Sequence, residues 1–257
     1  MIQILNATEL TRARATGALV ARILQTLKGR STVGTNLREL DAWTRDMIVE
    51  AGAVSCYVDY APPFGRGPFG HYVCTSVNDA VLHGLPHDYA LADGDLVSLD
   101  LAVSLGGVVA DSAISFLVGE ARPAESVAMI GATERALAAG IAAVRPGARI
   151  GDVSAAIGAV LKRAGYRVNL EFGGHGVGST MHQDPHVAND GRPGRGYVLR
   201  PGLLLALEPW VMADTADLVT DADGWTLRSA TGCRTAHSEH TIAITRDGAE
   251  VLTLPAT

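Results

Sequence analysis

An α+β fold built from two related halves is what this 257-residue sequence predicts, and three observations predict it. Two capped helical stretches are followed by short β-like runs, and the same succession of helices then strands returns once more. A shift of 113 residues pairs Gly34 with Gly147, Leu37 with Ile150, Leu40 with Val153, Ile48 with Leu161, and Ala51-Gly52 with Ala164-Gly165. Any two amphipathic helices match partly at this spacing, and the glycines at both ends are harder to dismiss, so true duplication and convergence of a helix and its turns both stand at this point. A duplicated unit places a site at the join, supplied from both halves.

The elements follow in order. Asn6-Ala7-Thr8-Glu9 is a capping box that opens a first helix, expected to run to Lys28. Asn36-Leu37-Arg38-Glu39 opens a second, over about Leu37 to Ala51. β-like runs begin at Val54 (VSCYVD), Tyr72 (YVCTSV) and Asp95 (DLVSLDLAV). Helical patterning returns over about Ala124 to Val144 and Gly151 to Ala164. The remainder reads mainly as β, with LLLALE from Leu203 and EHTIAIT from Glu239 the clearest strands.

Composition excludes several classes. A net charge of −6 and a pI near 5.7 give no electrostatic footprint for nucleic acid. MIQILNATELTRARA lacks the basic start and apolar core of a signal peptide, and no apolar stretch is long enough to span a bilayer. Cys56, Cys74 and Cys233 are odd in number and far apart, which fits reduced thiols in a cytoplasmic protein.

The chemistry concentrates in Asp100, Asp111, His175, Glu208 and Glu239. Three of them interrupt or end apolar runs, where an unpaired charge costs several kcal/mol. Gly106-Gly107 is a two-residue hairpin signal, and that turn sets Asp111 opposite Ala102 and Asp100 opposite Ala113. The two aspartates are then diagonal neighbours on one face, Cα atoms roughly 7–8 Å apart. Two metal ions about 3.5–4 Å apart fit between such carboxylates. The plainer reading is a pair of solvated aspartates, which their apolar neighbours argue against. His175 lies in GGHGVG, with no Walker lysine and no dinucleotide fingerprint; alone it would be a structural imidazole, but His182 follows seven residues later. Glu208 ends an apolar strand before Pro209, and Glu239 begins another. His83 in LHGLP and His182 in MHQDP sit in glycine- or proline-bounded loops, as solvated histidines or as donors to a peptide carbonyl. There is no GxSxG elbow, and no cysteine has a histidine and acid in persuasive context, so serine or cysteine catalysis is not expected.

SVNDAVLHGLP, DLVSLDLAVSLGGVVADSA, EFGGHGVGSTMHQDP, LEPWV and SEHTIAIT, in this order and spacing, resemble the type I methionine aminopeptidases over essentially the whole chain. The resemblance implies the pita-bread fold, a pseudo-twofold α+β domain with a curved antiparallel sheet and helices on its outer face. One catalytic domain over 1–257 is expected, its halves at about 1–120 and 121–257. The 26 residues from His182 to Glu208 are too few for the helical insertion of type II enzymes. Carried over residue by residue, Asp100 chelates one metal, Asp111 and Glu239 bridge two, His175 is the imidazole ligand, and Glu208 is ligand and general base. His83 and His182 contact the scissile peptide. Two divalent ions (Co, Mn, Fe(II) or Zn) would generate hydroxide near neutral pH. The expected partner is a peptide or nascent chain, with ribosome association in view, and a cytoplasmic monomer is expected. The methionine pocket would be lined by Cys74, Trp225, Phe69 and Met181. Here the chain departs from the family pattern: the loop APPFGRGPFGHY from Ala61 to Tyr72 is unusual, Met181 replaces a phenylalanine, and His237 stands where many members have glutamine. An aminopeptidase of Xaa-Pro type and a catalytically silent pita-bread binding protein are the alternatives.

Overall fold

The computed structural model describes residues 2–255. Helix α1 (Ala7–Arg30) starts where the Asn6 side chain accepts from the Thr8 and Glu9 N–H groups and Glu9 accepts from the Asn6 N–H. Helix α2 (Leu37–Glu50) opens on the same box at Asn36 and Glu39. Each box satisfies N–H groups that a first turn leaves without helical partners. α1 passes the expected Lys28 because the Ser31 N–H still reaches the Leu27 carbonyl at 2.9 Å and the Ser31 hydroxyl donates to it at 2.8 Å.

Strand β1 is only Val54–Ser55, shorter than the alternation of VSCYVD predicted. The Cys56 N–H still bonds Ala102 O, but Ser55 Oγ then accepts the Tyr57 N–H and the chain turns inward, burying the Tyr57 ring. Strands β2 (Cys74–Val77), β3 (Ala80–Leu82), β4 (Leu96–Leu105) and β5 (Val108–Leu117) follow. Gly106 and Gly107 have φ of 61° and 81°, the positive pair a type I′ turn requires. Asp111 therefore faces Ala102, and Asp100 faces Ala113, the register read from the sequence.

Helices α3 (Ala124–Ala143) and α4 (Ile150–Arg163) open the second half, and the bounds of α4 are those of α2 displaced by 113 residues. The glycines before and after the two helices match as well, each with positive φ. Then come β6 (Gly174–Val177), β7 (Gln183–Val187), β8 (Leu204–Leu207), β9 (Trp210–Met212), β10 (Leu218–Thr220), β11 (Leu227–Ser229), β12 (Thr235–His237), β13 (His240–Ile244) and β14 (Ala249–Val251). All pairing among the described strands is antiparallel. In the first half β5 lies on one side of β4, with β1 and β2 on the other; in the second the order is β14-β13-β8-β6-β7.

Side-chain alternation explains how these sheets position a site. In β4, Leu99, Leu101 and Val103 turn to a core shared with Ile23, Leu24 and Leu27 of α1, while Ala102 turns the other way. In β8, Leu205 and Leu207 join Val153, Ile157 and Leu161 of α4, while Leu204 and Ala206 face inward. The inward faces of both halves share a third, smaller core with Tyr57, Phe69, Cys74, Met181 and Trp225. The halves are tied along β5. Asp111 is in a pair whose N–H and C=O point away from β4, and Thr241 Oγ1 takes both, accepting at 2.8 Å and donating at 2.7 Å. Glu239 N–H donates to Ala113 O at 2.9 Å, and His237 N–H to Ser115 Oγ at 2.9 Å.

Candidate active site

Asp100 and Asp111 occupy the inward face of the β4–β5 hairpin. Across from them, His175 of β6 pairs with Ala206 of β8. Glu208 follows the last residue of β8 and Glu239 precedes the first of β13; because His240 pairs with Leu207, the two glutamates leave adjacent strand ends. The His175 Nδ1 is 3.0 Å from Gly176 O, so that nitrogen carries the proton and Nε2 turns its lone pair toward the carboxylates. Nε2 is 3.5 Å from Glu208 Oε1 and 3.9 Å from Asp111 Oδ2. Donor atoms of Asp111, His175 and Glu239 lie within 4.8 Å of one another.

Four carboxylates brought together in one largely buried space repel each other. Burial and the charges of Asp100 and Glu208 push Asp111 well above the usual carboxylate range, and burial with Asp111 does the same to Glu239. Glu208 is raised to about 8 by burial and by Asp100. Asp100 reaches only about 6, because burial is opposed by hydrogen bonds, the Tyr57 phenol first among them. Burial lowers His175 to about 3 and His83 and His182 to about 4, which keeps all three neutral near pH 7. Glu239 Oε1 is buried and has no hydrogen-bond partner. A carboxylate oxygen in that condition is costly unless a cation compensates it. Oxygen donors with one neutral imidazole are the ligand set that divalent ions take, so the residues fit the divalent metal that the sequence implied.

All seven residues singled out as ligands or proton donors come to this one place. Phe69, Cys74, Met181 and Trp225 line the same cavity as the carboxylates, together with His83 and His182. Tyr57, Tyr60 and Leu82 line it too and were not expected from the sequence. Tyr60 OH is 3.0 Å from His182 Nδ1, and the His182 ring packs against His175 at 4.3 Å. His83 has the unusual φ of 57° and is stacked under Phe64, ring centroids 5.6 Å apart, with Trp225 edge-on at 6.3 Å. Tyr57 lies within the strand-like alternation of VSCYVD and Tyr60 just beyond it, and neither gave a sign that the chain would turn there. His237 Nε2 lies 3.9 Å from Glu239 Oε2.

Residues 11–246 match the model of Metallopeptidase family M24. The chain is 37% identical over 252 residues to Methionine aminopeptidase B of Synechocystis sp., covering 98% of this chain and 91% of that protein. It is 40% identical over 256 residues to Methionine aminopeptidase 1 of Mycobacterium tuberculosis, covering 97% and 94% respectively. The crystal structure of methionine aminopeptidase from Rickettsia prowazekii matches with a TM-score of 0.93 at 32% identity, over 99% of this chain and 100% of that one. With its antiparallel sheets, paired helices and buried carboxylate–imidazole cluster, this chain belongs to metallopeptidase family M24.

Proposed function

We propose that the protein removes N-terminal methionine from peptides and nascent chains with a small second residue, by hydrolysis at a two-metal centre. The observation that carries this reading is the convergence of Asp100, Asp111, His175, Glu208 and Glu239 on one cavity that Phe69, Cys74, Met181 and Trp225 also line. Full-length similarity to proteins named methionine aminopeptidase supports the substrate class.

Asp100, Asp111, His175, Glu208 and Glu239 would hold two divalent ions of the Mn, Co, Fe(II) or Zn kind. When bound, such ions supply a water acidified into the neutral range and offset the carboxylate charge. The rest falls to the chain itself. Glu208, which must be ionised for the site to hold cations, takes a proton from the attacking water and returns it to the leaving amine. If Tyr60 OH donates to His182 Nδ1, the proton of the neutral imidazole sits on Nε2, where it can donate to the carbonyl oxygen as charge develops. His83, held between Phe64 and Trp225, orients the scissile amide. The cavity walls Phe69, Cys74, Met181 and Trp225 take the first side chain, and binding of the free α-amino group at the carboxylate cluster makes the enzyme exo-acting. We read 1–257 as one catalytic domain, working as a cytoplasmic monomer with access to the ribosome; no helix among the described residues is long and apolar enough to cross a membrane.

The test is amino-acid release from Met-Ala-Ser and Ala-Pro-Ser, with added Mn or Co and with a chelator control. Metal-dependent release of methionine alone is expected. Cleavage only before proline would move the chain to the Xaa-Pro branch, and silence with metal bound would defeat the catalytic reading.

A further inference from the structure

Tyr57 has no part in the chemistry above, yet it is buried against it, only 6% exposed. Its hydroxyl is 2.7 Å from Asp100 Oδ1 and 3.5 Å from Asp111 Oδ1. A phenol has one proton, and the nearer oxygen takes it. Donation therefore goes to Asp100 Oδ1, and among the hydrogen bonds of this carboxyl the one from Tyr57 is the strongest hold, ahead of those with Asp111 and Cys74. The ring is itself fixed. Ser55 Oγ accepts the Tyr57 N–H at 3.1 Å, and Phe69 meets the ring edge-on at 5.5 Å. On the backbone, Asp100 is pinned between Cys74 of β2 and Ala113 of β5, so what the phenol acts on is the orientation of its side chain. Asp100 is also outside the tight group of Asp111, His175 and Glu239.

We propose that Tyr57 is a positioning residue that makes the two metal positions unequal. It orients Asp100, the carboxylate belonging to one position alone, and leaves the Asp111–His175–Glu239 position untouched. Partners that orient a ligand in this way are worth 10–100-fold in metal affinity. This inference rests on the two-metal reading of the site.

The test is calorimetric titration of chelator-treated protein with MnCl2, comparing the parent with Tyr57→Phe, which keeps the ring and its contact with Phe69. The expected result is two binding steps in the parent and, in the variant, one step weakened about 10–100-fold with the other unchanged. Superimposable isotherms would overturn the role of Tyr57 while leaving the two-metal reading intact. Equal weakening of both steps would also overturn it, since that is the mark of a general loosening of the site. A parent that binds no Mn would overturn both the site reading and the inference built on it. Phe69→Leu, which loosens the ring without removing the hydroxyl, separates the hydrogen bond from packing: a selective loss as large as that of Tyr57→Phe would refute the assignment to the hydroxyl.

Discussion

Replacing Thr241 by valine tests how the two halves are joined at the site. Thr241 is fully buried, and its Oγ1 satisfies both the N–H and the C=O of Asp111, at 2.8 and 2.7 Å. Valine keeps the branched shape in β13 but can take neither bond. Each lost hydrogen bond is worth about 0.5–1.5 kcal/mol, and a backbone group left buried without a partner costs about 1–3 kcal/mol. The two overlap, so we expect about 2–4 kcal/mol of destabilisation. In a domain of this size each kcal/mol moves Tm by roughly 2–4 °C, giving a drop of roughly 5–15 °C. Differential scanning calorimetry and urea unfolding of the metal-free protein measure it. Thr241→Ser restores the hydroxyl and should recover most of the loss, apart from about 1 kcal/mol for the missing methyl. A Tm change in Thr241→Val below about 2 °C, or a Ser variant no better than Val, would refute the reasoning.

The other predictions concern the site and its walls. Glu208→Gln should lose about 10²–10⁴-fold in kcat while the Tm of the metal-free protein holds or rises, because a neutral amide replaces a crowded carboxyl; a variant with parental turnover would remove Glu208 from its role. Met181→Phe should shift the preference among methionine, norleucine and leucine peptides, since a flexible thioether gives way to a rigid ring; unchanged ratios of kcat/KM would show that Met181 does not touch the side chain. Metal binding should release protons at pH 6–7, because Glu208 and Asp100 are raised to about 8 and about 6 in the metal-free protein and must deprotonate to bind. The sign follows from those raised values: affinity climbs as pH rises toward 8, and the metal-free fold loses stability over the same range. Calorimetry in buffers of different ionisation enthalpy reads the protons, and a buffer-independent heat would contradict the prediction. Gly176→Ala would drive a Cβ into the Asp184 carbonyl, a backbone atom that cannot move aside, so the variant should be strongly destabilised.

Local rules were enough for much of this fold. The capping boxes at Asn6 and Asn36 announce their helices because an N-cap is a contact between residues three apart. Gly106-Gly107 sets the register of β4 and β5, and with it the diagonal placement of Asp100 and Asp111, because turn type and strand period are local as well. The glycines that flank α2 and α4 marked the repeat for the same reason. Strand ends were less legible: VSCYVD alternates like a strand, but the pull of the Tyr57 ring into the interior ends pairing at Ser55. What the linear chain alone determined is therefore the types and order of the candidate ligands and one pair's geometry. Only the tertiary structure decided that Thr241 clasps Asp111 across the two halves, that Glu208 and Glu239 leave neighbouring strand ends, and that Tyr57 bonds Asp100. Those contacts join residues from 31 to 130 positions apart. Neither periodicity nor propensity reaches that far, because both express preferences within a few residues, whereas closing such loops is set by how whole sheets pack.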